Sequence, residues 1–277
     1  MARVRERVRQ RCGDEVARRL PPGYHRLGRV LLLRLPPEIE PYLGEIGNAY
    51  QAAFQVDTVL NRRGPELGEF RLPQVELIAG SGTEAEVREF GIRYRLDAAQ
   101  VMFARGNRTE RHRAGELTRP GDTVVDLFAG VGYFALPAAV LGQARTVFAV
   151  EKNPIAFEYL RQNVRINRVE DRVVTLFGDN RQVDLPTGSA DRVFLGYLPS
   201  SLPWVARAVS LLQPDGGWLH VHLLGGTRAG LAGVRDEVLT TVNQSGRRVL
   251  TACPREIKAY GPGRVHAVVD VEISAWR

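Results

Sequence analysis

Residues 123–135, Thr-Val-Val-Asp-Leu-Phe-Ala-Gly-Val-Gly-Tyr-Phe-Ala, carry the densest chemistry in the chain. Asp126 closes a β-branched apolar run that reads as a buried parallel strand. Gly130 and Gly132 then bracket a tight turn, and Tyr133 to Val140 reads as a helix packing back on that strand. Glycine tolerates positive φ and lets a ligand approach the backbone closely. Strand, glycine turn and helix N-terminus together make a nucleotide-binding corner at the carboxyl edge of a parallel sheet. The next strand, Arg145-Thr-Val-Phe-Ala-Val, ends at Glu151. That acid lies about 20 residues past the glycines, the spacing at which a carboxylate receives two ribose hydroxyls.

Such a corner works only if a wound sheet positions it. From Val124 onward strands and helices alternate: 124–128, 133–141, 146–151, 155–167, 173–177, 192–197, 202–212, 218–224 and 228–241. This alternation predicts a doubly wound parallel sheet. Two further strands, Arg248-Val-Leu-Thr-Ala and Val265-His-Ala-Val-Val-Asp-Val-Glu-Ile, are joined by Pro254 to Gly263. That link is too short for a helical crossover and its turns, so the pair is expected to be antiparallel.

Two ligands satisfy the glycines. Gly130-Val-Gly-Tyr-Phe-Ala meets the G-x-G-x-x-[G/A] dinucleotide pattern of an NAD-binding oxidoreductase. Asp126, however, would face a pyrophosphate with negative charge, whereas it suits a sulfonium cofactor bearing an ammonium group. D-x-F-x-G-x-G also resembles motif I of the class I S-adenosylmethionine-dependent transferases. The terminal antiparallel hairpin, a hallmark of that fold, favours the same cofactor over NAD.

The first part of the chain is different in kind. Residues 2–20 read as one basic helix in which Val4, Val8, Cys12 and Val16 form a buried stripe, stopped by Pro21-Pro22-Gly23. A strand at 29–35, a helix at 39–53, short strands near Thr58 and Val75, and a hairpin over 83–97 turned near Gly91 follow. The expected organisation is a smaller α+β domain over 1–98 and a Rossmann-like catalytic domain over 99–277.

Composition narrows the partners. A hydrophobic content of 44% and a charged content of 25% are those of a soluble globular protein. No apolar run reaches the roughly 20 residues that span a bilayer, and the first residues lack the apolar core of a secretory signal. Cys12 and Cys253 form no CxxC, which fits a reducing compartment, and the expectation is a cytoplasmic monomer. A net charge of +7 favours a polyanionic partner. Only Lys152 and Lys258 among the 38 basic residues are lysines, a pattern that GC-rich codon usage explains.

Read together, Val101-Met-Phe-Ala-Arg-Gly-Asn-Arg-Thr-Glu-Arg, Asp126-Leu-Phe-Ala-Gly-Val-Gly, Glu151-Lys-Asn-Pro, Gly178-Asp-Asn and Tyr260-Gly-Pro-Gly-Arg-Val-His-Ala-Val-Val-Asp resemble the enzymes that modify the purine 3′ of the anticodon in phenylalanine tRNA. Two activities share that scaffold: a guanine-N1 methyltransferase, and a wybutosine-synthesising 3-amino-3-carboxypropyltransferase. Gly196-Tyr-Leu-Pro-Ser-Ser, the Gly106-Asn107 pair and Trp218-Leu-His-Val-His are similar to the carboxypropyltransferases. The resemblance therefore implies transfer of the amino-acid chain of S-adenosylmethionine to the tricyclic base of phenylalanine tRNA, with methylthioadenosine released. The methyltransferase at the same nucleotide is the alternative, and an NAD-binding oxidoreductase a remote one. A catalytically silent RNA-binding module is disfavoured because Asp126, Glu151 and Asp179 are all present.

The resemblance also assigns residues. It implies that Glu151 accepts the ribose hydroxyls, and that Asp179 accepts the adenine amino group with Asn180 beside it. Asp126 and Gly130 then shape the methionine side. The stretch 104–111 is expected over the cofactor. Ala104 stands where relatives carry serine, so any contact there runs through its backbone. Arg111 matches a basic residue that contacts the cofactor. Glu110 matches the catalytic glutamate, either as general base for the ring proton or as the partner that orients Arg111. Arg105, Arg108, Arg111 and Arg113 are candidates for anticodon-loop phosphates, and Tyr133 and Tyr197 for stacking on the unstacked purine. His220 and His222, on alternate strand positions, could mimic metal ligands but read as strand residues beside the site. No metal is expected.

Overall fold

Gly13 divides the basic N-terminal helix. In the computed structural model, which describes residues 1–226 and 230–275, its φ of +91° ends α1 (Ala2–Cys12) and starts α2 (Asp14–Arg18). The expected stripe nevertheless faces inward: Val4, Val8 and Val16 are buried with Leu31, Leu33, Ile46 and Tyr50. The chain separates into two compact units, Met1–Arg105 and Gly106–Arg277. In the first, β1 (His25–Leu27), β2 (Val30–Leu33), β3 (Thr58–Arg62) and β4 (Val75–Gly80) form a sheet in that order. Helix α3 (Leu43–Phe54) makes the crossover that a parallel β2–β3 pair requires. A hairpin of β5 (Glu84–Glu89) and β6 (Ile92–Asp97) completes the unit, turning at Gly91.

The second unit opens with α4 (Arg108–Leu117), followed by β7 (Thr123–Asp126), α5 (Ala135–Val140), β8 (Thr146–Glu151), α6 (Pro154–Ile166) and β9 (Val173–Phe177). It continues with β10 (Arg192–Leu195), α7 (Val205–Leu211), β11 (Gly216–Gly226), α8 (Gly230–Asn243), β12 (Val249–Gly261) and β13 (Arg264–Ser274). Arg228, placed in the last long helix by the sequence pattern, lies outside the described residues.

Among the described residues seven strands form one sheet, ordered β12-β13-β11-β10-β7-β8-β9. The pairs from β11 through β9 are parallel, and β13 runs antiparallel between β11 and β12. Strand order reverses between β7 and β10, and ligands of open α/β sheets bind in the crevice at that reversal. The core beneath it is aliphatic, with Val125, Val193, Leu195, Leu219 and Val221 buried on the central strands. The hairpin strands are longer than the sequence pattern suggested: β12 runs on through Pro254 to Gly261. Proline is tolerated there because β12 is the sheet edge, where a missing donor leaves no ladder bond unmade.

Candidate active site

The glycine turn is held from both sides by carboxylates. Asp126, fully buried at the end of β7, accepts the Phe128 N–H on Oδ1 (3.2 Å) and the Ala135 N–H on Oδ2 (3.1 Å). Burial pushes its carboxyl up to about 7, although these backbone donors oppose the rise. Asp126 is thus the clamp that shapes the turn. Gly130 has φ +55°, and a Cβ there would lie 2.3 Å from a ring carbon of Tyr133, so a side chain would be strained and would push that ring aside. Its N–H donates to Glu151 Oε2 (2.7 Å), and Glu151 Oε1 accepts the Asn153 N–H (2.6 Å). Burial raises the Glu151 carboxyl against those same backbone bonds. Asn153 caps α6 by accepting the Ile155 N–H (3.0 Å), which fixes where β8 ends and the helix begins.

At the end of β9, the Asp179 carboxylate meets Arg181 (2.8 Å) and Lys152 (3.2 Å). The Arg181 hydrogen bond, more than any other influence, holds it well below the usual carboxylate range. Asn180 reaches across to β7 and donates from Nδ2 to the Leu127 carbonyl (2.6 Å). Its Oδ1 is buried and has no hydrogen-bond partner among the described residues.

Helix α4 supplies the other charged residues. Glu110 is 3% exposed, and Arg113 forks onto it with Nη2 to Oε1 (2.6 Å) and Nε to Oε2 (2.8 Å). The sequence offered Arg111 as the residue that Glu110 orients, whereas the fork on both its oxygens comes from Arg113. Arg113 is accordingly largely covered, its side chain 11% exposed, and two carboxylates already engage the guanidinium that the sequence offered to an RNA phosphate. Arg111 is also buried, its guanidinium 6.0 Å from the ring centroid of Tyr133, the residue that packs on Gly130. Arg105 and Arg108 are exposed. Ala104 belongs to the first unit, half-buried four residues before α4. Tyr197, just past β10, stacks on Phe128 (5.1 Å, 26°).

Sequence reasoning missed what lies behind Glu110. His220 on β11 pairs in register with Asp270 on β13, and their side chains meet at 2.5 Å. Asp270 also receives Arg113, at 2.6 Å to Oδ2. On the other side of His220, Arg192 lies 2.9 Å from Nε2. Arginine only donates, so Nε2 accepts and Nδ1–H donates to Asp270: His220 is neutral. Burial lowers its affinity for a proton in the same sense. His222 contacts His266 (3.1 Å), stacks on Phe134 (5.1 Å), and has Nε2 3.7 Å from Glu110 Oε1. The period-two spacing of His220 and His222 signalled one shared strand face. Their partners needed the β11–β13 register. Among the described residues no group of three or more His, Cys, Asp or Glu is placed to hold a metal ion.

The strand order with its antiparallel β13, the glycine turn after β7 and the acid closing β8 define a class I S-adenosylmethionine-dependent transferase. The residues fit that cofactor on this protein's own geometry: a turn where a Cβ would displace the Tyr133 ring, two strand-end acids, and a buried acceptor at Asn180 with no partner among the described residues. The TRM5/TYW2 methyltransferase domain matches residues 85–247 and the TYW2 N-terminal domain matches residues 4–83; the chain belongs to the TRM5/TYW2 family. It is 37% identical over 272 residues to the tRNA(Phe) (4-demethylwyosine(37)-C(7)) aminocarboxypropyltransferase of Pyrococcus horikoshii, covering 98% of this chain and 96% of that one. Its identity to the tRNA (guanine(37)-N(1))-methyltransferase Trm5b of Pyrococcus abyssi is 31%, over 94% of this chain and 78% of that one. The crystal structure of P. horikoshii TYW2 in complex with MeSAdo superimposes with a TM-score of 0.89 at 34% identity, covering 99% of each chain.

Proposed function

We propose that the protein transfers the 3-amino-3-carboxypropyl group of S-adenosylmethionine to C7 of the tricyclic 4-demethylwyosine base 3′ of the anticodon in phenylalanine tRNA. The observation that carries this reading over guanine-N1 methylation is the match of residues 4–83 to the TYW2 N-terminal domain, beside the near full-length likeness to a carboxypropyltransferase. The donor supplies a sulfonium-activated γ-carbon. The ring carbon forms a bond to it, the carbon–sulfur bond breaks with its electron pair going to sulfur, and methylthioadenosine leaves. The ring carbon must then lose its proton.

In this reading Glu151 accepts the ribose hydroxyls through the lone pairs that its backbone donors Gly130, Asn153 and Lys152 leave free. Asp179 and Asn180 flank the adenine, Asn180 Oδ1 being an acceptor with no donor among the described residues. Asp126 and Gly130 set the turn against the methionine half, and Arg111, beside Tyr133, holds the carboxylate of the amino-acid chain. Ala104 contributes backbone only. Glu110 takes the ring proton as general base: the Arg113 fork uses one acceptor position on each carboxylate oxygen and leaves the others open. The first unit faces the tRNA, with Arg105 and Arg108 on phosphates and Tyr197 under the base. The protein acts as a monomer in the cytoplasm; no helix among the described residues is long and apolar enough to cross a membrane.

The test is mass spectrometry after incubation with S-adenosylmethionine and phenylalanine tRNA bearing either the tricyclic precursor or guanosine. Methylthioadenosine with a carboxypropyl mass gain on the precursor tRNA is the expected result. S-adenosylhomocysteine with a methyl gain on the guanosine tRNA would overturn it in favour of the methyltransferase.

A further inference from the structure

The charges behind Glu110 alternate along a largely buried chain that crosses three elements: Glu110 and Arg113 on α4, Asp270 on β13, His220 on β11. Within α4, Glu110 and Arg113 stand three residues apart, a spacing at which a lone pair on a helix surface samples several rotamers. Here the guanidinium has no such freedom. Its second edge is forked by Asp270, Nη1 to Oδ2 at 2.6 Å and Nη2 to Oδ1 at 3.2 Å. Asp270 is itself fixed by the His220 Nδ1–H, and His220 by Arg192. Each planar group therefore sets the plane of the next, and the last plane set is that of the Glu110 carboxylate. Buried ion pairs contribute little net stability against apolar replacements of the same volume, so geometry is the better account of this one.

We infer that Asp270, held by His220, is a positioning residue for Glu110 and acts through Arg113. The inference rests on the assignment of Glu110 as the base of the proposed reaction. Displacing a reacting group by about 1 Å costs on the order of 100-fold in rate. Asp270→Asn, which replaces one fork acceptor with a donor facing Arg113, is therefore expected to lower single-turnover rate on precursor tRNA by roughly 10- to 100-fold. Its S-adenosylmethionine and tRNA dissociation constants and its melting temperature are measured alongside, and the two dissociation constants are expected to stay near wild type.

The discriminating readout is a cycle with Glu110→Gln. If Asp270 works through Glu110, the double variant is no slower than Glu110→Gln alone. Losses that multiply, or an Asp270→Asn variant as fast as wild type, overturn the inference while leaving the function intact. A fully active Glu110→Gln variant overturns the base assignment and the inference with it. A wild-type protein that yields no methylthioadenosine condemns the function itself. Should Asp270→Asn fail to fold, His220 supplies the second test. His220→Asn keeps an N–H where Nδ1 stands and is expected to turn over several-fold faster than His220→Leu. Equal rates for those two overturn the inference.

Discussion

Lowering the pH from 8 to 6 should weaken S-adenosylmethionine binding, because the protein must ionise Asp126 to hold a cationic ligand. Asp126 is fully buried, and the desolvation that dominates its environment, with Glu151 nearby adding to it, pushes its carboxyl up to about 7. The free protein therefore changes from largely ionised to largely protonated across this range. A sulfonium and an ammonium brought to the turn favour the ionised form, so binding expels the proton. A group near 7 that must ionise on binding weakens affinity by about tenfold between pH 8 and pH 6. The sign for stability is opposite to that of an ordinary paired acid. The folded-state value lies above the unfolded one, so the ligand-free protein loses stability as pH rises from about 4 to 7, by about 4 kcal/mol in all from this group.

Titration calorimetry in buffers of different ionisation enthalpy reads both affinity and proton release. The control is Asp126→Asn, checked for folding because part of the backbone N–H set from Phe128, Phe134 and Ala135 loses its acceptor. In this variant the part of the pH dependence due to Asp126 disappears, leaving what Glu151, whose carboxyl burial also raises, and the ligand's own amino group contribute. Affinity that is flat from pH 6 to 8 in the wild type, or a slope unchanged in the variant, would refute the reasoning.

Two further expectations follow from the same geometry. Gly130→Ala places a residue at φ +55° with its Cβ 2.3 Å from the Tyr133 ring, so it should lose about 1–2 kcal/mol in backbone strain alone. Displacing Tyr133 also disturbs Arg111, so cofactor affinity by calorimetry should fall along with the melting temperature; unchanged affinity would separate the turn from the site. For tRNA, affinity should fall linearly with the logarithm of salt concentration, by a slope of about 0.7 per phosphate neutralised on a single-stranded loop. Arg105→Ala and Arg108→Ala should each flatten that slope in filter binding, whereas a salt-independent affinity would count against the phosphate contacts.

What the sequence determined by itself was whatever one segment can encode. Apolar runs ending in Asp126 and Glu151, with glycines between, marked strand ends and a turn, because burial on both faces and positive φ leave local signatures. The short link after β12 fixed an antiparallel closing hairpin, since chain length forbids anything else. The α1–α2 break at Gly13 was written in one glycine, but the continuous valine stripe around it concealed the break.

The tertiary structure alone decided which side chains meet. Arg111 and Arg113 look alike in sequence, two basic residues just after a glutamate. The Glu110 pair is local to α4, but only the tertiary fold brings Asp270, 157 positions away, to the other edge of Arg113. His220 was legible as a strand residue, yet its neutral state depends on Arg192 at one ring nitrogen and Asp270 at the other. Asn180 was expected to serve the cofactor through its backbone amide; its side chain's role came from the tertiary fold, which brings Nδ2 to Leu127 and leaves Oδ1 without a donor among the described residues. Local pattern fixes which backbone each residue adopts. The pairing of buried charges is set by strand register and helix docking, which join residues that the sequence keeps far apart.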